Sequence, residues 1–204
     1  MIIAVEGPSA AGKTTWCRGA GGQFVAEYTS TGQEPDGFDP VVHATYWAEA
    51  NAQRWTQALT LEEAAGHAIC DSDPLKLHYT WCLAAVAAAP ISQFEHDLAA
   101  VRQMFAQRRL GFADAVVISI PNYQQLELQR DSDPTRRRRN FNLHARLAEP
   151  LSEWYAAVNR LEPGRVLHGF PNELDVVTSI PPRPDRCDLQ LLDRLLSELP
   201  ALTR

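Results

Sequence analysis

Residues 7–14 read Gly7-Pro8-Ser9-Ala10-Ala11-Gly12-Lys13-Thr14 and fit the pattern G-x-x-x-x-G-K-[ST]. A loop of small residues like this can turn its N–H groups inward on a phosphate, while the helix that follows adds its positive end. The lysine then reaches the β and γ phosphates, and the threonine hydroxyl is offered to Mg²⁺. The flanks agree with this reading. Met1 to Glu6 is a short apolar, β-rich run, and Lys13 to about Ala20 is helical in character. Strand, glycine turn and helix together open an α/β unit. Lys13 is one of only two lysines, the other being Lys76, against seventeen arginines. A compact ammonium fits inside a phosphate cradle where a planar guanidinium does not, which explains a lysine retained at this position.

Beyond the loop, Gly19, Gly21 and Gly22 stop the first helix, and Gln23 to Tyr28 reads as a second strand. Asp39 caps the next helix with Pro40 in its first turn, and the helix is expected to reach about Leu59, carrying Tyr46, Trp47, Gln53, Arg54 and Trp55. Thr60 and Glu63 have capping-box spacing for another short helical piece ended by Gly66. His67 to Cys70 is a brief strand that delivers Asp71 and Asp73 to its carboxyl end. Helical stretches follow at Leu75 to Ala89 and, after a second capping box at Ser92 and Glu95, up to Gly111. Ala115 to Ile120 is the clearest buried strand. A helix at Asn122 to Gln129, an arginine-rich loop, a helix at Asn142 to Asn159, a strand at Arg165 to His168 and a last helix at Cys187 to Leu199 complete the chain. Five strands alternating with helices predict a doubly wound, five-stranded parallel sheet with helices on both faces, an α/β fold of the P-loop NTPase class in one domain spanning 1–204.

Composition narrows the function. The 204 residues carry 19 Lys plus Arg and 25 Asp plus Glu, a net charge of −6, so a broad positive face for a nucleic-acid backbone is not expected. At 45% hydrophobic and 22% charged, the chain is globular and not disordered. No apolar run approaches the ~18 residues of a membrane span, so no membrane association is expected. The first residues lack the basic head and apolar stretch of a signal peptide. Cys17, Cys70, Cys82 and Cys187 form no C-x-x-C pair and read as reduced thiols in a cytoplasmic protein. The six histidines show no metal or triad spacing and read as core or surface residues.

A phosphate loop serves switches, motors, transporters and kinases. The guanine-reading N-K-x-D motif of GTPase switches needs a second lysine after an asparagine, and Lys76 stands instead in Pro74-Leu75-Lys76-Leu77. There is no Ser-Gly-Gly signature of transporter ATPases, and the chain is too short for a helicase pair. Small-molecule kinases remain. Such an enzyme needs a carboxylate to orient or deprotonate the acceptor and another to hold Mg²⁺. Glu27 suits the first role and Asp71 the second, with Asp73 able to exchange into either; all three stand at carboxyl ends of predicted strands, where open α/β sheets place ligands. The plainer readings are an exposed strand-end carboxylate for Glu27 and a helix cap for Asp71-Ser72-Asp73-Pro74.

Three features in order, Val25-Ala26-Glu27-Tyr28, the helical Gln53-Arg54, and Ile69-Cys70-Asp71-Ser72-Asp73, join the phosphate loop. With them the sequence resembles P-loop nucleoside and nucleotide kinases over most of its length. It is most similar to the ribosylnicotinamide kinase domain of bacterial NAD-biosynthesis regulators, and more distantly to deoxynucleoside and thymidylate kinases. The resemblance implies transfer of the γ-phosphate of ATP, with Mg²⁺, to a hydroxyl or phosphate of a small nucleoside-like acceptor. It implies nucleotide binding by Gly7, Ser9, Ala10, Ala11, Gly12, Lys13, Thr14 and Thr15, metal binding by Thr14 and Asp71, and acceptor binding by Glu27, Tyr46, Trp47, Gln53 and Arg54. Gln53 and Arg54 are neighbours on a helix and point about 100° apart, so one ligand cannot be met fully by both. In deoxynucleoside kinases a base-reading glutamine usually stands seven residues before a helix arginine, a position held here by Trp47. The aromatic residues of this helix read either as a stacking surface or as core. An arginine-rich lid is expected at about 130–141. One or two of the run Arg136 to Arg139, with Arg136 and Arg137 preferred, would bind the moving phosphoryl group, and Arg130 would stack near the adenine or support the lid. A solvated basic loop is the plainer reading. A monomer or homodimer is expected. The rival functions are phosphorylation of a non-nucleoside such as an antibiotic, and a nucleotide-binding regulatory ATPase.

Overall fold

The structure is a computed structural model and describes residues 1–35, 37, 39–131 and 141–202. Its centre is a parallel sheet of four strands: β1 (Ile2–Glu6), β2 (Ala68–Asp71), β3 (Ala115–Ile118) and β4 (Val166–His168), in the order β2-β1-β3-β4. β1 lies between β2, where Ile3 pairs with Ile69, and β3, where Val5 pairs with Val117. Every residue of β1, β2 and β3 is buried, as expected of strands covered on both faces. Alternation sorts them. Ile2, Ala4, Cys70, Val116 and Ile118 face the larger core, whereas Ile3, Val5, Ile69 and Val117 face the smaller one.

The larger core is covered by α2 (Pro40–Ala65), α3 (Leu77–Ala85), α4 (Ile91–Ala106), α7 (Ala148–Leu161) and α9 (Leu189–Glu198). α1 (Lys13–Gly19), through Cys17, and the short α8 (Asp175–Thr178), through Val177, cover the other face. Helices on both faces are therefore observed. The predicted fifth strand is not. Of Gln23 to Tyr28, only Val25 joins the sheet, as a single parallel bridge to Cys70 beside β2. Its N–H donates to Ile69 O at 2.8 Å and its carbonyl accepts from Asp71 N at 2.8 Å. Only Val25 is buried in this stretch: Phe24 packs partly buried against the smaller core, while Gln23, Ala26 and Glu27 are exposed and add no apolar contact to hold a longer strand.

Several boundaries also moved. Asp39 caps α2 as expected, its Oδ1 accepting from Val41 N at 2.8 Å. The helix then runs unbroken through Thr60, whose hydroxyl donates to Thr56 O at 3.1 Å and so caps nothing, and it ends at Gly66 with φ 79°. α4 begins after Pro90, so Ser92 is not its cap, and it stops at Ala106 because Leu110 to Ala113 are drawn into the core. The single helix predicted at 142–159 is two, α6 (Phe141–Arg146) and α7, separated at Leu147. The helix after β3 is α5 (Tyr123–Asp131). α8 has no strong periodicity and was not predicted.

Behind the sheet, at the amino end of β1, a polar cluster locks distant segments together. Asp114 is fully buried and accepts from Ile2 N at 2.7 Å, Arg183 N at 2.8 Å and Arg186 Nε at 2.9 Å. Arg186 also donates through Nη1 to Glu62 at 2.7 Å, which joins α2 to the segment before α9. This hydrogen bond, working against burial, lowers the Glu62 pKa from 4.5 to about 2. Removing one member of a buried charge pair strands the other, so Asp114→Ala should lower the unfolding free energy by about 3 kcal/mol, read by urea denaturation. A carboxyl lowered on folding stabilises above its unfolded pKa, so the Glu62 contribution should disappear as pH falls from about 4.5 towards about 2, and Arg186→Gln should flatten that part of the stability profile.

Candidate functional site

β1 ends in the phosphate loop at the point where the sheet order reverses, with β2 on one side and β3 on the other. The turn is sterically specified. A Cβ on Gly7 would lie 2.3 Å from the Ser119 carbonyl oxygen, and Gly12 enters α1 with φ 88°. Ala11 N donates to Pro8 O at 3.1 Å, and Trp16 N to Gly12 O at 2.9 Å. Lys13 folds back over the loop, its Nζ donating to Gly7 O at 2.8 Å. Ala11 packs with Leu126 of α5 and Phe141 of α6 in a small cluster that Ala10 joins. Arg130 lies over the Phe141 ring at 4.5 Å and donates to Asp131 at 2.7 Å, so it supports the α5–α6 packing. Arg136 and Arg137, with the rest of the expected lid run, lie outside the described residues.

A cleft of about 800 Å³ opens from this loop and is lined by residues 7–15, Glu27, Trp47 and Lys76 among others. Thr14 donates its hydroxyl to Asp71 Oδ2 at 2.6 Å, while Asp71 Oδ1 is buried with no hydrogen-bond partner. A hydroxyl beside an unsatisfied carboxylate oxygen is a donor set suited to Mg²⁺, which binds through one or two protein oxygens and takes the rest from phosphates and water. Among the described residues no group of three or more His, Cys, Asp or Glu is arranged to hold a metal.

The other expected residues separate into cleft and scaffold. Glu27 is half exposed at the cleft, with Oε1 3.4 Å from Lys76 Nζ. Burial would raise its carboxyl, but Lys76 and Lys13 outweigh that and lower it. Asp73 does not line the cleft. Its oxygens accept from Leu75 N and Tyr155 OH, both at 3.0 Å, and burial raises its pKa. Arg54 borders the cleft, yet its guanidinium is spent on main chain, donating to Ala26 O at 3.0 Å and to Asp71 O and Ser72 O at 2.8 Å. Gln53 is exposed and outside the cleft, as its 100° offset from Arg54 requires. Trp47 lines the cleft, edge-on to Tyr28 with ring centres 4.8 Å apart, whereas Tyr46 stands behind it with its hydroxyl 2.7 Å from that of Tyr28. Trp55 is core.

Glu6, Lys76 and His78, which meet at the centre, were not foreseen there. Glu6, 2% exposed, accepts from Gly7 N at 3.1 Å and Asp73 N at 2.8 Å, and lies 3.3 Å from His78 Nε2 and 3.6 Å from Lys76 Nζ. Burial opposes its charge, but Lys76 and His78 hold its carboxyl well below the usual range. Burial likewise opposes the Lys76 ammonium, and Glu6 with Glu27 raises it. Lys76 and Ser72 are non-glycine residues with positive φ, 51° and 68°. An acid closing an otherwise apolar strand was a legible sign for Glu6, and the scarcity of lysine was one for Lys76.

No protein-family model matches the chain, and no characterised protein matches it by sequence. In three dimensions it is similar to a deoxyadenosine kinase from M. mycoides with the products dCMP and a flexible dCDP bound, at TM-score 0.55 and 15% identity over 97% of this chain and all of that one. The same enzyme with dCTP bound matches at TM-score 0.52 and 14% identity with the same coverage. The chain shares the fold of that deoxyadenosine kinase. Among the described residues four strands pair, in place of the five expected, and no described helix is long and apolar enough to cross a membrane.

If Arg54 is chiefly a clamp between the Val25 edge and the end of β2, Arg54→Ala should lower the unfolding free energy by about 3 kcal/mol in urea titration, because buried carbonyls lose charged donors. A ligand contact alone would leave stability unchanged.

Proposed function

We propose that the chain is an ATP-dependent small-molecule kinase, acting as one domain and transferring the γ-phosphate to a hydroxyl of a nucleoside-like acceptor. The observation that carries the reading is that the phosphate loop, Glu27 and Lys76 open on one cleft. Lys13 would exchange its loop carbonyls for phosphate oxygens, with the loop N–H groups around them. Glu27 would take the acceptor hydroxyl proton as that oxygen bonds to the γ-phosphorus and the bond to the β–γ bridging oxygen breaks, leaving ADP. Lys76 would keep Glu27 ionised and balance charge on the moving group. Asp73 and Arg54 fit positioning roles. Mg²⁺, held by Thr14 and Asp71, would neutralise phosphate charge when bound with ATP. The ribosylnicotinamide kinases and the deoxyadenosine kinases suggest a ribosyl or deoxyribosyl acceptor.

ATP consumption should rise sharply on adding the acceptor, and turnover indifferent to every small acceptor would instead favour a regulatory ATPase. Lys13→Ala should reduce nucleotide affinity or turnover by about tenfold or more. Glu27→Gln should keep ATP binding, measured by calorimetry, and lose transfer by about a hundredfold. The base works deprotonated, so kcat/KM should fall on the acid side through the lowered Glu27 pKa. Lys76→Met removes the cation that lowers it and should move that limb to higher pH, a shift that loss of folded protein alone cannot produce.

A further inference from the structure

At the end of the sheet opposite the cleft, two arginines that the transfer chemistry leaves unused carry buried donors which the fold does not satisfy. Arg165 stands just before β4 and is 1% exposed, and its Nε and Nη1 are buried without a hydrogen-bond partner. Arg183 Nε is buried without one as well. Both residues belong to one small frame. Arg165 N donates to Glu162 O at 3.1 Å, and the Arg165 carbonyl accepts from Val116 N at 2.8 Å. Arg183 donates through its main-chain N–H to Asp114 Oδ1 at 2.8 Å and through Nη1 to Glu162 Oε2 at 3.3 Å. Burial lowers the Arg165 pKa; Glu162 opposes this, and the neighbouring Arg183 charge adds to it.

The acids nearby are already engaged. Asp114 Oδ1 accepts from Arg183 N and Arg186 Nε, and its Oδ2 from Ile2 N and Arg186 Nη2. Phe112, whose ring centre lies 5.5 Å from Arg165 Cζ, offers the charge a π-face but the N–H groups no oxygen. A guanidinium keeps its charge and only donates, and buried donors in native proteins find partners. Water is a poor partner here, because it must also place its own hydrogens, and the Asp114 oxygens are taken. An anion only accepts. We infer that Arg165 and Arg183 bind a small monovalent inorganic anion of the chloride type, which joins the start of β4 to the segment before α9. A doubly charged oxyanion would be repelled more strongly by the Asp114 and Glu162 carboxylates. The Arg183 side chain is 21% exposed, which gives the ion a route from solvent. The cleft lies at the carboxyl ends of the strands and this site at the amino end of β4, so the inference stands apart from the kinase reading.

The test follows the thermal midpoint of the full chain, without nucleotide, as chloride replaces gluconate at constant sodium. The midpoint should rise with the logarithm of chloride, by about 3 °C between none and a saturating concentration, because a ligand held only by the folded state stabilises it. Bromide should substitute for chloride, and its anomalous scattering in crystals should place it against the Arg165 and Arg183 guanidiniums. Arg165→Met removes the buried charge, so its midpoint in gluconate should equal or exceed the parental one and should not respond to chloride. Arg183→Met leaves Arg165 in place and should reduce the chloride-dependent rise by about half or more, which keeps the assignment testable if Arg165→Met does not fold. A midpoint indifferent to the anion, a chloride response that either variant retains in full, or bromide found only elsewhere overturns the assignment.

Discussion

A buried carboxylate at the end of β1 holds the site together. Glu6 receives the N–H of Gly7 on one side and that of Asp73 on the other, so a single side chain fixes the entry to the phosphate loop and the exit from β2. An isolated charge at this depth would be untenable; Lys76 and His78 compensate it, and they thereby bring a cation to the cleft. His78 in turn contacts Tyr155 of α7, whose hydroxyl holds Asp73. Sheet, loop and the α3–α7 layer are therefore fastened by one connected polar network inside an apolar core, where such networks rigidify when their members are satisfied.

Much of the fold could be read from residues 1–20, because an apolar strand, a glycine turn and a helix leave few architectures open. The Gln23–Tyr28 segment was misread because Phe24 and Val25, the two residues that touch the cores, imitate the apolar signature of a strand while Gln23, Ala26 and Glu27 stay exposed. Thr60–Glu63 was misread because a capping box is a local pattern, and a threonine in mid-helix can bond back to the preceding turn instead.

The site was legible where chemistry is local. Thr14 and Asp71 meet, although they are 57 residues apart, because the loop after β1 brings the first turn of α1 to the end of the adjoining β2. Gln53 and Arg54 show the limit of adjacency on a helix: one is exposed, the other clamps carbonyls. Glu6 and Lys76 each left a sign in the sequence, but their pairing across distant segments is set by the fold. The net charge of −6 likewise said little about the cleft, where Lys13 and Lys76 are held close to Glu6 and Glu27.

The left-handed backbone at Lys76 sets chain conformation against electrostatics. At φ 51° glycine would be the more comfortable residue, by about 1 kcal/mol, yet glycine would discharge the network around Glu6 and Glu27. The residue the chain geometry favours is thus the one the electrostatics exclude. Selection for robustness alone would erode this position, so the lysine there marks a backbone cost borne for its ammonium.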